Sequence, residues 1–97
     1  MISLAILAAC AVAVVLFLLH FSEVKKWFRN QYDIKVDNIE TYRVLVKARL
    51  KDGKYKTIAA VFNDRTKVIC HQTAWKSTKI DEELEAMDQV SPILNLE

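Results

Sequence analysis

The sequence predicts an α+β protein, in which an N-terminal transmembrane helix precedes a small three-stranded antiparallel β-meander covered by one C-terminal helix. An apolar run fills residues 2–21, two strand-like runs flank Asp52-Gly53, and an acidic segment with helical spacing follows Lys79. These observations divide the chain into a transmembrane helix at 1–21, a juxtamembrane basic and aromatic helix with its linker at 22–38, and a β-β-β-α domain at 39–97.

The apolar run has the length of a membrane span. Only Ser3 and His20 are polar between residues 2 and 21, and about 20 apolar residues cross the hydrocarbon core as a helix. The side chains expected at the membrane interface follow directly: Lys25, Lys26, Trp27, Phe28 and Arg29. Because basic residues mark the cytoplasmic side of a span, we expect a single-pass cell-membrane protein with its N-terminus outside and its C-terminal domain in the cytoplasm.

A second interpretation of this run is an exported lipoprotein, because Leu7-Ala8-Ala9-Cys10 resembles a bacterial lipobox. Cleavage before Cys10 would leave an apolar region shorter than the roughly 7–15 residues of an ordinary signal peptide. The retained anchor is therefore favoured. The chain has two cysteines, Cys10 and Cys70, and placing one in the membrane excludes a disulfide between them.

Small residues recur along the predicted span. Ala5, Ala9 and Ala13 are four residues apart and would share one face of a helix. Small residues at this spacing let two helices approach closely within lipid, which predicts a packing face for an integral membrane protein or for a second copy. The alternative is that an alanine-rich span contains this spacing by chance.

The clearest signal downstream is a hairpin at Asp52-Gly53, a dipeptide typical of tight turns. A two-residue turn would place Leu50 opposite Tyr55. One core face would then collect Tyr42, Val44, Val46, Ala48, Leu50, Tyr55, Thr57, Ala59 and Val61. Residues 63–66 predict a second turn that leads into a third strand at 67–75, with Val68 and Cys70 on the same core face.

The C-terminal helix is expected to begin at Thr78 as N-cap and to end at Pro92. Ile80, Leu84 and Met87 would form the apolar stripe that covers the sheet.

The opposite sheet face combines basic with apolar and aromatic residues. We expect this face to bind a partner through Lys47, Arg49, Ile58, Phe62, Ile69, His71 and Trp75. Two alternatives remain open. The C-terminal tail could cover the apolar part, or the basic part could contact anionic lipid headgroups or nucleic acid. Nucleic acid is the less favoured partner, because the net charge is only +2 and the last helix is acidic.

The sequence contains no recognisable catalytic or metal-binding arrangement. Cys70 and His71 are adjacent on a predicted strand, so their side chains would point to opposite faces and could not act as a pair. The two histidines are far apart in the chain, and the only glycine lies in the hairpin turn. We therefore expect no enzymatic activity, no cofactor and no small-molecule substrate.

These expectations favour a non-enzymatic accessory or regulatory subunit of a larger membrane protein complex, which binds through its span and its cytoplasmic sheet face. The alternatives are a membrane-tethered domain that recognises anionic lipid or nucleic acid, and an exported lipoprotein processed at Cys10.

Overall fold

Strands rich in β-branched and aromatic residues dominate the architecture. The computed structural model describes residues 11–31, 41–63 and 69–93. Within these ranges the elements follow in the order β1 (Val14–Leu19), α1 (Phe21–Gln31), β2 (Thr41–Arg49), β3 (Tyr55–Asn63), β4 (Ile69–Ile80), α2 (Glu82–Ala86) and β5 (Val90–Pro92). The boundary predicted at residue 38 lies outside these residues.

The five strands form one mixed sheet in the order β1-β4-β3-β2-β5. β1 runs parallel to β4, whereas β3 pairs antiparallel with both β4 and β2, and β5 pairs antiparallel with β2. The predicted three-stranded meander is therefore wrong, because a strand from each end of the described chain extends the sheet at both edges.

The apolar run assigned to a membrane helix is a strand in its described part. Val14 pairs with Trp75 and Leu19 with Ile80 along the β1–β4 ladder. In the ranges 11–31, 41–63 and 69–93, no helix is long and apolar enough to cross a bilayer. The predicted transmembrane helix is wrong, and so is the single-pass membrane localisation that depended on it. An apolar run does not by itself distinguish a strand from a helix, and valine and phenylalanine favour the strand.

The hairpin between β2 and β3 forms around Asp52-Gly53, but in a different register from the predicted one. Arg49 pairs with Tyr55, and the amide of Gly53 donates to the carbonyl of Leu50 (3.0 Å). The amide of Leu50 donates to the carbonyl of Lys54 (2.7 Å), so the turn has three residues, 51–53. Gly53 has φ +85°, as in a type I turn followed by a bulge. A slip of one residue exchanges the faces of a strand, so the predicted core face mixed residues from both sides of the sheet.

The observed register gives the sheet two buried faces. On the face that α1 covers, here called the helix face, Leu45, Ala59, Val61 and Trp75 pack with helix residues. On the second face, Val44, Val46, Ile58, Ala60, Phe62 and Ala74 form a separate buried cluster. The strand centres therefore read as continuous apolar runs rather than as alternating ones.

Helix α1 docks on the sheet through an apolar stripe with helical spacing. Phe21, Val24 and Phe28 are buried and lie on one side of the helix. Glu23 in the first turn and Arg29 in the last turn complement the helix dipole. The helix predicted to lie at the membrane interface thus packs against the sheet.

Strand β4 is longer and α2 shorter than predicted. β4 continues to Ile80 because its last residues pair with β1, which displaces the helix start from Thr78. Asp81 is the N-cap, and its carboxylate accepts from the amide of Leu84 at 2.9 Å. Pro92 lies in β5 rather than at the end of the helix.

Candidate functional site

Among the described residues, strand β1 forms one edge of the sheet, and the backbone groups along its outer side can be assigned from two hydrogen bonds. The amide of Ala13 donates to the carbonyl of Ala74 (2.9 Å), and the carbonyl of Leu19 accepts from the amide of Asp81 (3.0 Å). Successive residues of a strand direct their N–H and C=O groups to alternate sides. Val14, Leu16 and Leu18 therefore point theirs away from β4, toward the side of β1 on which no described strand pairs.

The side chains of β1 leave an apolar surface at this edge. Val15 and Phe17 are 67% and 68% exposed, and Val14 and Leu18 are also exposed. Leu16 is partly buried against the cluster on the helix face. No residue from Val14 to Leu19 carries a charge. We call the outward backbone groups of β1 and these exposed side chains the β1 edge.

The carboxylate of Asp81 fixes the end of β1 relative to both helices. One of its oxygens accepts from the amide of Phe21 at 2.7 Å, and the other accepts from the amide of Leu84 at 2.9 Å. The Nδ1 atom of His20 lies 3.8 Å from the first oxygen. Asp81 thus caps α1 and α2 together, next to the end of β1.

A groove of about 210 Å³ lies between the base of the hairpin and α2, and Lys47, Arg49, Tyr55, Ile80 and Glu85 contribute to its walls. The cationic groups of Lys47 and Arg49 both contact other groups of the same chain. The Lys47 amine donates to the carbonyls of Leu84 and Met87 at the end of α2. Arg49 donates to the hydroxyl of Tyr55 (2.9 Å) and lies over its ring. This groove stabilises the fold and offers no unused basic group from those two residues.

The hairpin turn holds a carboxylate whose pKa is lowered by its neighbours. The amide of Lys54 donates to Asp52 at 3.0 Å, and the Lys76 amine lies 3.1 Å from the same carboxylate. The backbone hydrogen bond and, after it, Lys76 lower the pKa of Asp52 below its usual 3.8. Asp52 therefore favours the folded state at neutral pH, and this contribution is lost as the pH falls through the lowered pKa.

The residues predicted to form one partner-binding face are divided between both faces and the ends of the sheet. Ile58 and Phe62 belong to the buried cluster on the second face, with Ile69 packed beside them. Trp75 is buried on the helix face, whereas Arg49, His71 and also Cys70 are exposed. The partner-binding role of these residues remains a prediction, but they do not share a surface.

Some of the residues predicted to contact lipid pack against other parts of the protein, and others are exposed. Phe28 is fully buried, and Trp27 makes an edge-to-face contact with Trp75 at 6.3 Å. The Lys25 amine lies 5.0 Å from the centre of the Phe21 ring, whereas Lys26 and Arg29 are exposed. Ala13 lies just before β1, whereas Ala5 and Ala9 lie outside the described residues.

Sequence reasoning missed strand β1, although a signal for a strand was present. Three valines and a phenylalanine within residues 12–17 are enriched strand formers. The uninterrupted apolar character of the surrounding residues outweighed that local preference.

In the part of the chain that the structure describes, no group of three or more His, Cys, Asp or Glu residues could hold a metal ion.

Comparison with protein-family models, curated proteins and solved structures finds no match to this chain. The β1 edge is the feature from which a function can be inferred.

Proposed function

We propose that this chain is a protein-binding module, an accessory or regulatory subunit, that takes up an extended apolar segment as an additional strand at the β1 edge. Main-chain hydrogen bonds would supply affinity in this mode of recognition, and the side chains on either face would supply specificity. The observation that carries the proposal is the outward direction of the N–H and C=O groups of Val14, Leu16 and Leu18 beside exposed apolar side chains.

Natural edge strands that must not bind are protected against pairing. Their usual protection is a lysine or other charge, a proline, a bulge or a very short length. β1 has six residues, all of them apolar. By contrast, the other edge strand, β5, has three residues and contains Pro92. The difference between the two edges supports β1 as the binding side of the sheet.

The test uses a synthetic peptide of alternating valine and threonine, flanked by lysines for solubility, added at millimolar concentration to the intact chain at a chain concentration where sedimentation shows a monomer. We expect the amides of Val14, Leu16 and Leu18 to become protected from hydrogen exchange, because they would donate to the added strand. Exchange rates at these amides that do not change with the peptide would contradict the proposal.

Two variants at one position separate main-chain pairing from simple apolar contact. Leu18→Pro removes an outward N–H without removing a hydrogen bond to β4, and proline is tolerated on an edge strand in this orientation. Leu18→Ala loses the same side chain but keeps the N–H. Peptide protection should be lost in Leu18→Pro and retained in Leu18→Ala, with unchanged circular dichroism in both. Equal binding by the two variants would argue against strand addition.

A further inference from the structure

We infer that the strand taken up at the β1 edge is β1 of a second copy of this chain, paired antiparallel about a two-fold axis at Leu16. The inference rests on the proposed function and names its partner. The resulting dimer would contain one continuous sheet, with both α1 helices on the same side of it.

The outward backbone groups select this register. In an antiparallel pair, two residues with outward groups face each other and exchange two hydrogen bonds. With Leu16 opposite its own copy, Val14 faces Leu18 of the second copy, and every outward group of the three residues is satisfied. A register centred on Phe17 would instead place Val14 opposite His20, whose carbonyl already accepts from Glu23 (3.0 Å) as α1 begins.

The same register pairs the two most exposed apolar side chains of β1. Val15 faces Phe17 of the second copy, and Phe17 faces Val15 of the second copy. These are non-hydrogen-bonded positions, where the Cα atoms approach to about 4.5 Å and the side chains are closest. An aromatic side chain opposite a β-branched one is a favourable cross-strand pair. Self-association therefore buries the side chains that are 67% and 68% exposed.

Charge is also compatible with self-pairing. β1 has no charged residue, so no like charges would face each other across the new pair. The nearest basic residues along the ladder are Lys76 and Lys79, which pair with Val15 and Leu18. The Lys79 amine lies 5.6 Å from the centre of the Phe17 ring, within the range of a cation–π contact, so the cation that reaches the β1 edge is partnered by an aromatic ring of its own chain.

The test is sedimentation equilibrium of the intact chain with two single variants, Val15→Lys and Phe17→Glu. The unmodified chain should shift from 11.2 kDa to twice that mass as concentration rises. Each variant alone would place a charge opposite an apolar side chain twice, and its dimer should weaken about tenfold or more.

Mixing the two variants tests the register. The mixed dimer would set the lysine introduced at position 15 opposite the glutamate introduced at position 17, and would keep one unmodified Val15–Phe17 pair. Mixing should therefore restore a dimer within about threefold of the original affinity. A register centred on Phe17 would place the new glutamate opposite Phe17, and mixing would not restore the dimer.

Three results would overturn the inference: an unmodified chain that stays monomeric, single variants that dimerise as well as the unmodified chain, or a mixture no tighter than its components. If the chain is monomeric while the valine–threonine peptide still protects the β1 amides, only self-pairing fails and the proposed function stands. If the peptide also leaves those amides unprotected, both fail.

Discussion

At the scale of single residues, Asp81 connects two helices through one carboxylate. Its carboxylate joins the start of α1 to the start of α2 through two amide donors that are 60 and 3 residues away in sequence. Two fully buried hydroxyls, those of Thr57 and Ser77, have no hydrogen-bond partner among the described residues. Because Asp81 has two amide donors and these hydroxyls have none in the described part of the chain, the Asp81 cap is the polar interaction whose contribution to stability we would test.

Asp81→Ala should lower the free energy of unfolding by about 1–2 kcal/mol, because both helix starts lose their acceptor. Urea denaturation followed by tryptophan fluorescence measures this change. Asp88→Ala is the matched control, because Asp88 accepts from Ser91 with its backbone carbonyl, so alanine keeps that bond. Equal stabilities of the two variants would show that the shared cap has no energetic importance.

At the scale of elements, the hairpin shows how far sequence reasoning reaches. Asp52-Gly53 located the turn, and the Val- and Ile-rich runs on either side located β2 and β3. The register depended on whether the turn has two or three residues, and both kinds accept Asp-Gly. Because of that single-residue difference, Val44 and Val46 lie on the second face and Ala59 and Val61 on the helix face, although all four are predicted to share one core face.

Gly53→Ala should destabilise the fold by about 1–2 kcal/mol, because φ at this position is +85° and L-residues with a Cβ disfavour that region. No atom lies within 4 Å of the added Cβ, so the loss would reflect backbone conformation alone. Gly53→Asn should lose less, since asparagine tolerates positive φ. Thermal unfolding of the three proteins gives the comparison, and an unchanged midpoint for Gly53→Ala would contradict the turn assignment.

β1 and α2 show where sequence reasoning fails at this scale. The apolar run of β1 has the composition of a membrane helix and also that of a buried or paired strand, and only its partner β4, far along the chain, decides between them. The helical spacing of Ile80, Leu84 and Met87 is real, but pairing with β1 keeps Ile80 in β4. The β1 edge could not be predicted for the same reason, since an edge exists only once the strand order is known.

At the scale of the whole molecule, stability depends on α1 covering the helix face. Phe28 is fully buried there among residues from α1, four strands and α2. Apolar residues of the N-terminal segment are thus divided between two roles, since Leu19 is buried in the same cluster while Phe17 remains exposed.

Phe28→Ala should lower the free energy of unfolding by about 3–5 kcal/mol, a large part of the roughly 5–15 kcal/mol typical of a domain. Phe17→Ala, the same change at an exposed position, should cost less than about 0.5 kcal/mol. Both are measured by chemical denaturation at a concentration where the chain is monomeric. Similar losses in the two variants would mean that β1 is packed differently from the structure described.

The parallel pairing of β1 with β4 also orders events during synthesis. The start of α1 and its cap at Asp81 are separated by 60 residues. At about 5–20 residues per second, a ribosome needs roughly 3–12 s to make that interval. β1 is the first of the five strands to be made, yet it must wait until β4 has emerged before it can pair. During those seconds its apolar side chains are accessible to chaperones and to the targeting factors that select hydrophobic nascent segments.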